Sequence, residues 1–284
     1  GSFFKWSGDK KSMFYSSNVR DPKYFDVYKM NIGEWIPTLF YENKSGLDVN
    51  EISDDEKTLV VSKTVTTSEN ELYLVNRETD TQTELSLPDQ KGRYGVSGIS
   101  KDSKYVFYLT EGGKEFTYLV QYDMNSGERK VLYETTWDVM YTFLSEKETY
   151  RVIAINEDGK NTIIMQDAAS GKTIDFPAIP DGDILGVEIS DSEKLMRLSV
   201  GTSKAPNNIY LYNLETKELK KLTESLNKEI NADDLVSAEV VRYKSFDGLD
   251  IPAIYYKPHQ ASPEQKVPAL VWGQGGPGGQ SRTG

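Results

Sequence analysis

Few side chains in this sequence could carry out nucleophilic or acid–base chemistry. Cysteine is absent, which excludes thiolate metal sites, disulfides and a thiol nucleophile without assigning a compartment. His259 is the one histidine, so any Ser/His/Asp arrangement would have to take its base from there. It stands in a polar stretch, Lys257-Pro258-His259-Gln260-Ala261-Ser262, and reads as a solvated loop residue. Ser281 lies in Gly279-Gln280-Ser281-Arg282-Thr283. That is one residue short of the G-x-S-x-G elbow, which presents a nucleophilic serine between a strand and a helix. Ser281 therefore reads as an ordinary loop serine, and no residue is assigned as nucleophile, base or metal ligand.

The remaining chemical candidate is a loop of glycines. Gly273-Gln274-Gly275-Gly276-Pro277-Gly278 follows the apolar run Val267-Pro268-Ala269-Leu270-Val271-Trp272 and fits G-x-G-x-x-G. A dinucleotide site needs such glycines to open a helix, with an acidic residue about twenty positions later, and six residues follow Gly278. No cofactor is expected. The other use of such a loop is as a backbone anion site, because a glycine amide, lacking a neighbouring Cβ, can approach a developing oxyanion closely.

The chain that must position this loop is repetitive. Segments of one form, Ser7-Gly8-Asp9-Lys10, Ser53-Asp54-Asp55-Glu56-Lys57, Ser100-Lys101-Asp102-Ser103-Lys104, Ser145-Glu146-Lys147-Glu148 and Ser190-Asp191-Ser192-Glu193-Lys194, recur at steps of 46, 47, 45 and 45 residues. An alternating run such as Tyr105-Val106-Phe107-Tyr108-Leu109 follows each serine, and a second run such as Glu71-Leu72-Tyr73-Leu74-Val75 comes about twenty residues beyond it. A polar turn and a short strand close each unit, as in Asn125-Ser126-Gly127-Glu128 and Arg129-Lys130-Val131-Leu132. With the strand ahead of each serine, every unit has four strands, which describes a β-propeller blade. The serine and its acid then have a structural duty, hydrogen-bonding a tight turn.

Composition points the same way. Eighteen Tyr, ten Phe and four Trp in a chain only 37% hydrophobic favour half-buried strands over buried helices, so the expected class is all-β with very little helix. A net charge of −11 opposes binding to nucleic acid or an anionic membrane. No run of eighteen apolar residues is present to span a bilayer. The amino end shows no basic, apolar leader, and the compartment stays open between cytoplasm and periplasm.

The turn pattern does not recur a sixth time. Residues 236–257 read instead as a hairpin about Ser245-Phe246-Asp247-Gly248, with Pro252 restricting its strand to an edge. The run Val267 to Trp272 reads as a buried strand, unlike the half-wet blade strands. A boundary is therefore placed near 230–236. It separates a propeller over residues 1–232, with five blades at about 3–45, 46–90, 91–136, 137–182 and 183–230, from the first strands of another domain over 233–284.

This order of parts, with Lys244-Ser245-Phe246-Asp247-Gly248, Tyr255-Tyr256-Lys257-Pro258 and Gly275-Gly276-Pro277-Gly278, resembles the prolyl oligopeptidase family of serine peptidases, most of all its acylaminoacyl-peptidase and dipeptidyl-aminopeptidase branch. The resemblance implies that 233–284 are the N-terminal strands of a truncated α/β-hydrolase domain. It also implies that the propeller gates the access of short peptides to a Ser/Asp/His triad lying beyond this sequence. The family loop reads His-Gly-Gly-Pro, and its first glycine amide helps to form the oxyanion hole. Gly275 and Gly276 match the two glycines and Pro277 the proline, while Gln274 stands where the family has histidine. By this likeness the chain alone is inert as a peptidase, its partners are short peptides and its own hydrolase domain, and the parent propeller starts upstream of Gly1. The alternative is a free-standing TolB-like propeller acting as a binding module. Tyr94, Trp137 and Tyr141, near blade turns, are candidates for a funnel wall and otherwise core or rim residues.

Overall fold

The computed structural model describes residues 1–179, 182–273 and 279–283. The chain divides into two compact units, Gly1–Thr136 and Trp137–Gly284. In the first unit, one sheet is made of β1 (Ser2–Trp6), β2 (Ser12–Asp21), β3 (Tyr24–Asn31) and β4 (Pro37–Tyr41). A second contains β5 (Asp48–Ile52), β6 (Thr58–Thr66), β7 (Glu69–Asn76) and β8 (Thr81–Glu84), and a third β9 (Tyr94–Ile99), β10 (Tyr105–Thr110), β11 (Tyr118–Asp123) and β12 (Arg129–Tyr133). The second unit has β13 (Asp138–Leu144), β14 (Tyr150–Glu157), β15 (Lys160–Asp167) and β16 (Thr173–Ile174), then β17 (Asp183–Ile189), β18 (Leu195–Thr202), β19 (Ala205–Asn213) and β20 (Leu219–Lys221). Its hairpin is β21 (Ala238–Lys244) with β22 (Asp250–Tyr256). All five four-stranded sheets are antiparallel meanders in chain order. Among the described residues the only helical piece is a 3-10 turn, Ala232–Asp234, in line with the low helix content expected.

The repeated serine closes the first turn of each sheet. Ser7 Oγ donates to Asp9 Oδ1 at 2.7 Å and accepts the Ser12 amide at 2.9 Å. Ser53 with Asp55 and Ser100 with Asp102 repeat this at 2.5 and 2.7 Å, accepting the amides of Thr58 and Tyr105. The third residue after each serine, Lys10, Glu56, Ser103, Glu148 or Glu193, takes a left-handed backbone with φ between 54° and 62°. That conformation costs a non-glycine residue about 1–2 kcal/mol, which the side-chain hydrogen bonds of the turn offset.

In the fourth turn Lys147 occupies the position held by aspartate in the first three. Glu193, the left-handed residue of the fifth turn, supplies the carboxylate instead. Its Oε1 accepts the Ser145 hydroxyl at 2.5 Å and the Lys147 amide at 2.7 Å. Glu56, at the matching position of the second turn, likewise reaches back to Lys29 on β3, at 2.6 and 2.8 Å. Burial opposes ionisation of Glu193, but its hydrogen bonds from Ser145, Thr149 and Lys147 outweigh this and hold its carboxyl below the usual glutamate value.

The blade strands are not all half-wet, as their composition suggested. In the third and fourth sheets the second strand is buried for most of its length, over Val106–Thr110 and Arg151–Ile155, whereas the outer β8 is exposed throughout. The cause is visible in β6. Leu59 and Val61 pack with Phe14 and Val27 of the first sheet, while Val60 packs with Tyr94, Val106 and Tyr108 of the third. Alternate side chains of one strand thus belong to different cores. In the second unit Val152 and Ala154 share a core with Val187, Met196, Leu198 and Val200.

One expected element differs. Val267 to Trp272 does not form a buried strand: the run has no ladder partner among the described residues, and Leu270, Val271 and Trp272 are 90%, 91% and 81% exposed. An apolar, β-prone run becomes a strand only when another strand offers backbone partners and a layer covers its side chains, and the described chain offers neither here.

Glu193→Gln should lower the unfolding free energy at pH 7 by about 1–3 kcal/mol, the cost of weakening a buried charge-assisted network, measured by urea denaturation. Because the folded-state pKa is depressed, Glu193 stabilises the protein above the unfolded value, near pH 4.3, and that contribution is lost as pH falls through the folded value. The difference between wild type and variant should therefore shrink on acidification.

Candidate functional site

At the end of each blade opposite the serine turns, the second and third strands meet in a hairpin and the chain crosses to the next sheet. Polar residues near the start of the third strand hold that crossing. Asp26, fully buried, takes a two-point hydrogen bond from Arg20 at 2.7 and 2.9 Å and the Asn43 amide at 2.8 Å. Hydrogen bonding from Arg20 outweighs burial and holds the Asp26 carboxyl below its ordinary value. Asn70 exchanges two bonds with the Tyr94 backbone, at 2.8 and 3.0 Å. Asn161 binds Asp183 and the Ile184 carbonyl, and Asn208 accepts the Thr223 hydroxyl and the Ser225 amide.

In the second unit this polar end also receives the C-terminal residues. Arg242 on β21 grips Asp158 in the β14–β15 turn with both guanidinium nitrogens. Asn156 donates to Gln280 at 2.7 Å, Arg282 Nη1 donates to Asn161 Oδ1 at 2.8 Å, and the Thr283 amide meets the Gly159 carbonyl at 3.4 Å. Gly159 has φ +74°, so a side chain there would strain the turn, and its Cβ would touch the docked segment at the Ser281 carbonyl, 3.4 Å away. The base of β21 is fixed by Ser203, whose Oγ donates to Val236 O at 3.3 Å and accepts the Ala238 amide at 2.9 Å.

The residues singled out in the sequence are not brought together. Gly275 and Gly276, like the rest of Gln274–Gly278, lie outside the described residues. His259 is exposed in the linker, with Nε2 3.3 Å from the Leu235 carbonyl, and Ser281 is exposed in the docked tail. Neither has the other as a hydrogen-bond partner. Tyr94 is a core residue whose hydroxyl donates to Gln90 O at 2.7 Å and accepts the Leu87 amide at 3.1 Å. Trp137 is half-buried. Tyr141 packs on the core of the second unit, and burial, reinforced by the Asp183 charge, raises its phenol pKa. The polar residues that do converge, Asp183, Arg282 and Thr283, carried no motif. Among the described residues no group of three or more His, Asp or Glu stands where it could hold a metal ion.

Five four-stranded meanders of about 45 residues, each opened by the same serine turn, make this a β-propeller protein. The sequence matches "Prolyl oligopeptidase, N-terminal beta-propeller domain" over residues 1–225. The chain belongs to the prolyl oligopeptidase family, of which it carries the N-terminal propeller. No curated protein matches it. Among solved structures, a prolyl endopeptidase studied for inter-domain dynamics in catalysis and specificity aligns with a TM-score of 0.68 at 18% identity, covering 88% of this chain and 39% of that one. Prolyl oligopeptidase B from Galerina marginata, bound to a 35mer hydrolysis and macrocyclization substrate, gives 0.67 at 18%, covering 88% and 37%. TolB from Acinetobacter baumannii gives 0.54 at 15%, covering 79% and 54%. The chain thus spans about two-fifths of the length of the two peptidases, and at these identities the likeness is one of fold.

Asp158→Ala removes the partner of Arg242. A partly exposed ion pair contributes about 0.5–1 kcal/mol, so amides of β21 and β22 should lose roughly two- to fivefold in hydrogen-exchange protection, while β18 keeps its own. Unchanged protection in β21 would show that Ser203 alone fixes the hairpin.

Proposed function

We propose that the chain is the substrate-gating propeller of a serine peptidase acting on short peptides by aminoacyl or acyl-aminoacyl release, followed by the first strands of the α/β-hydrolase domain that carries the triad. The observation that carries this reading is the family match over residues 1–225, continued by a hairpin and a glycine loop of the family's form. The exposure of Leu270, Val271 and Trp272 supports it, since large apolar side chains in a row favour a covering layer. In this reading the amides of Gly275 and Gly276 stabilise the oxyanion of acyl transfer. Gln274 replaces the histidine side chain beside them, leaving the backbone donors in place. The acylaminoacyl and dipeptidyl branch remains part of the proposal.

The chain by itself then lacks a serine activated by a base. Incubated with a fluorophosphonate probe and with chromogenic aminoacyl and acyl-aminoacyl substrates, it should neither be labelled nor turn them over. Turnover abolished by Ser281→Ala or His259→Ala would overturn the proposal. The likeness to TolB favours one other reading, a propeller acting as a binding module. Reading the gene beyond Gly284 separates the two, because only a peptidase continues into a G-x-S-x-G elbow followed by Asp and His.

A further inference from the structure

The polar end of the second unit carries an open cleft of about 340 Å³, lined by Lys160, Asp183, Ser203, Lys204, Ser237 and Thr283 among others. Asp183 and Thr283 are only 3% and 7% exposed. Asp183 uses Oδ1 to accept the Asn161 amide at 2.6 Å, and its Oδ2 has no partner among the described residues. Thr283 Oγ1 is in the same position. Arg282 donates through Nη1 to Asn161, leaving Nη2 buried and unpartnered, as are Tyr141 Oη and Asn156 Oδ1. Asn156 faces Asn161 across β14 and β15. Among the described residues seven buried side-chain polar atoms have no partner, and two of them, Asp183 Oδ2 and Thr283 Oγ1, belong to residues that line the cavity.

Such clustering is unusual, because each buried polar atom left unpaired costs about 1–3 kcal/mol. Two on one cavity wall mark a site whose hydrogen bonds are completed by something that enters it. The chemistry of the lining specifies what. Lys160 and Lys204 present positive charge, and the nearby Asp158 is already matched by Arg242. Against these stands one free acceptor of full charge, Asp183 Oδ2. A ligand that satisfies both carries a carboxylate with an N–H close beside it. A volume near 340 Å³ is at the small end for ligand pockets, which begin at about 300 Å³, and suits one or two amino-acid residues.

We propose that this cavity binds the α-carboxylate end of an amino acid or short peptide. Lys160 and Lys204 receive the carboxylate, Asp183 Oδ2 accepts the adjacent N–H, and the Thr283 hydroxyl completes the shell. A free amino acid would present an ammonium to Asp183, and the C-terminal residue of a peptide an amide N–H. The proposal uses only residues of this chain and stands or falls separately from the peptidase reading.

Titration of the chain with L-alanine, N-acetyl-L-alanine and L-alaninamide, followed by calorimetry and by amide chemical shifts, tests it. At least one of the two carboxylates should bind with Kd of about 1 mM or tighter, perturbing the amides of Asn161, Asp183 and Thr283. Tighter binding of N-acetyl-L-alanine identifies a peptide C-terminus, and tighter binding of L-alanine a free amino acid. L-Alaninamide, without the carboxylate, should bind at least about tenfold more weakly, and Asp183→Asn and Lys204→Met should each cost a similar factor. Asp183→Asn also touches the Asn161 bond, so Lys204→Met, at the cavity wall, tests the site even if Asp183→Asn unfolds. Absence of saturable binding by either carboxylate, equal binding of L-alaninamide, or undiminished binding by Lys204→Met would overturn the proposal.

Discussion

A sheet whose inner strands are apolar on both faces cannot stand alone in water. That constraint governs the rest of this structure. In β6 the side chains of Leu59 and Val61 enter one core and that of Val60 another, so the second sheet is stable only when the first and the third both cover it. Each fully buried aliphatic side chain contributes about 1.5–3 kcal/mol by leaving water, and a blade without neighbours forfeits that on two sides. Repetition follows directly, since each added sheet covers one exposed face and presents another.

Covering both faces demands that neighbouring sheets hold a fixed register, and the serine turns help to set it. Within a sheet the hydroxyl and carboxylate fix the turn locally. Between sheets, Glu56 and Glu193 use the same left-handed turn position to reach the preceding blade. The opposite end of the blades performs the matching task with Asp26, Asn70, Asn161 and Asn208, each holding the strand crossing onward. Polar groups thus register the ends of the blades while the apolar middles supply most of the burial. In the second unit the same polar end also holds Arg242, Gln280 and Arg282, so the hairpin and tail dock where the blades offer unspent hydrogen-bonding capacity.

The repeat was legible because a tight turn is a local event: serine, acid and lysine within five positions predict it without knowledge of the neighbours. The propeller class and the near absence of helix followed from that period. Glu193 as the acid of the fourth turn was not legible, since its partner Ser145 is a full blade away and Lys147 breaks the motif. The third-strand residues Asp26, Asn70, Asn161 and Asn208 recur 16 to 19 residues after their serines, a signal obscured by its change of residue type and spacing. Val267 to Trp272 stands unpaired here because propensity reports a willingness to pair and says nothing of whether a partner is at hand. Asp183 and Thr283 form no motif at all, and only folding brings them to one cavity.

If each blade depends on its neighbours, the sheets of one unit open together. Hydrogen exchange across a denaturant series, resolved strand by strand, measures this directly in the first unit. The amides of β2, β6 and β10 should converge on one opening free energy with one denaturant dependence, because no one of these strands can be exposed without uncovering a core shared with another. Protection of β10 that persists, with its own shallower dependence, at denaturant concentrations where β6 has already exchanged would contradict the shared-core origin of the fold.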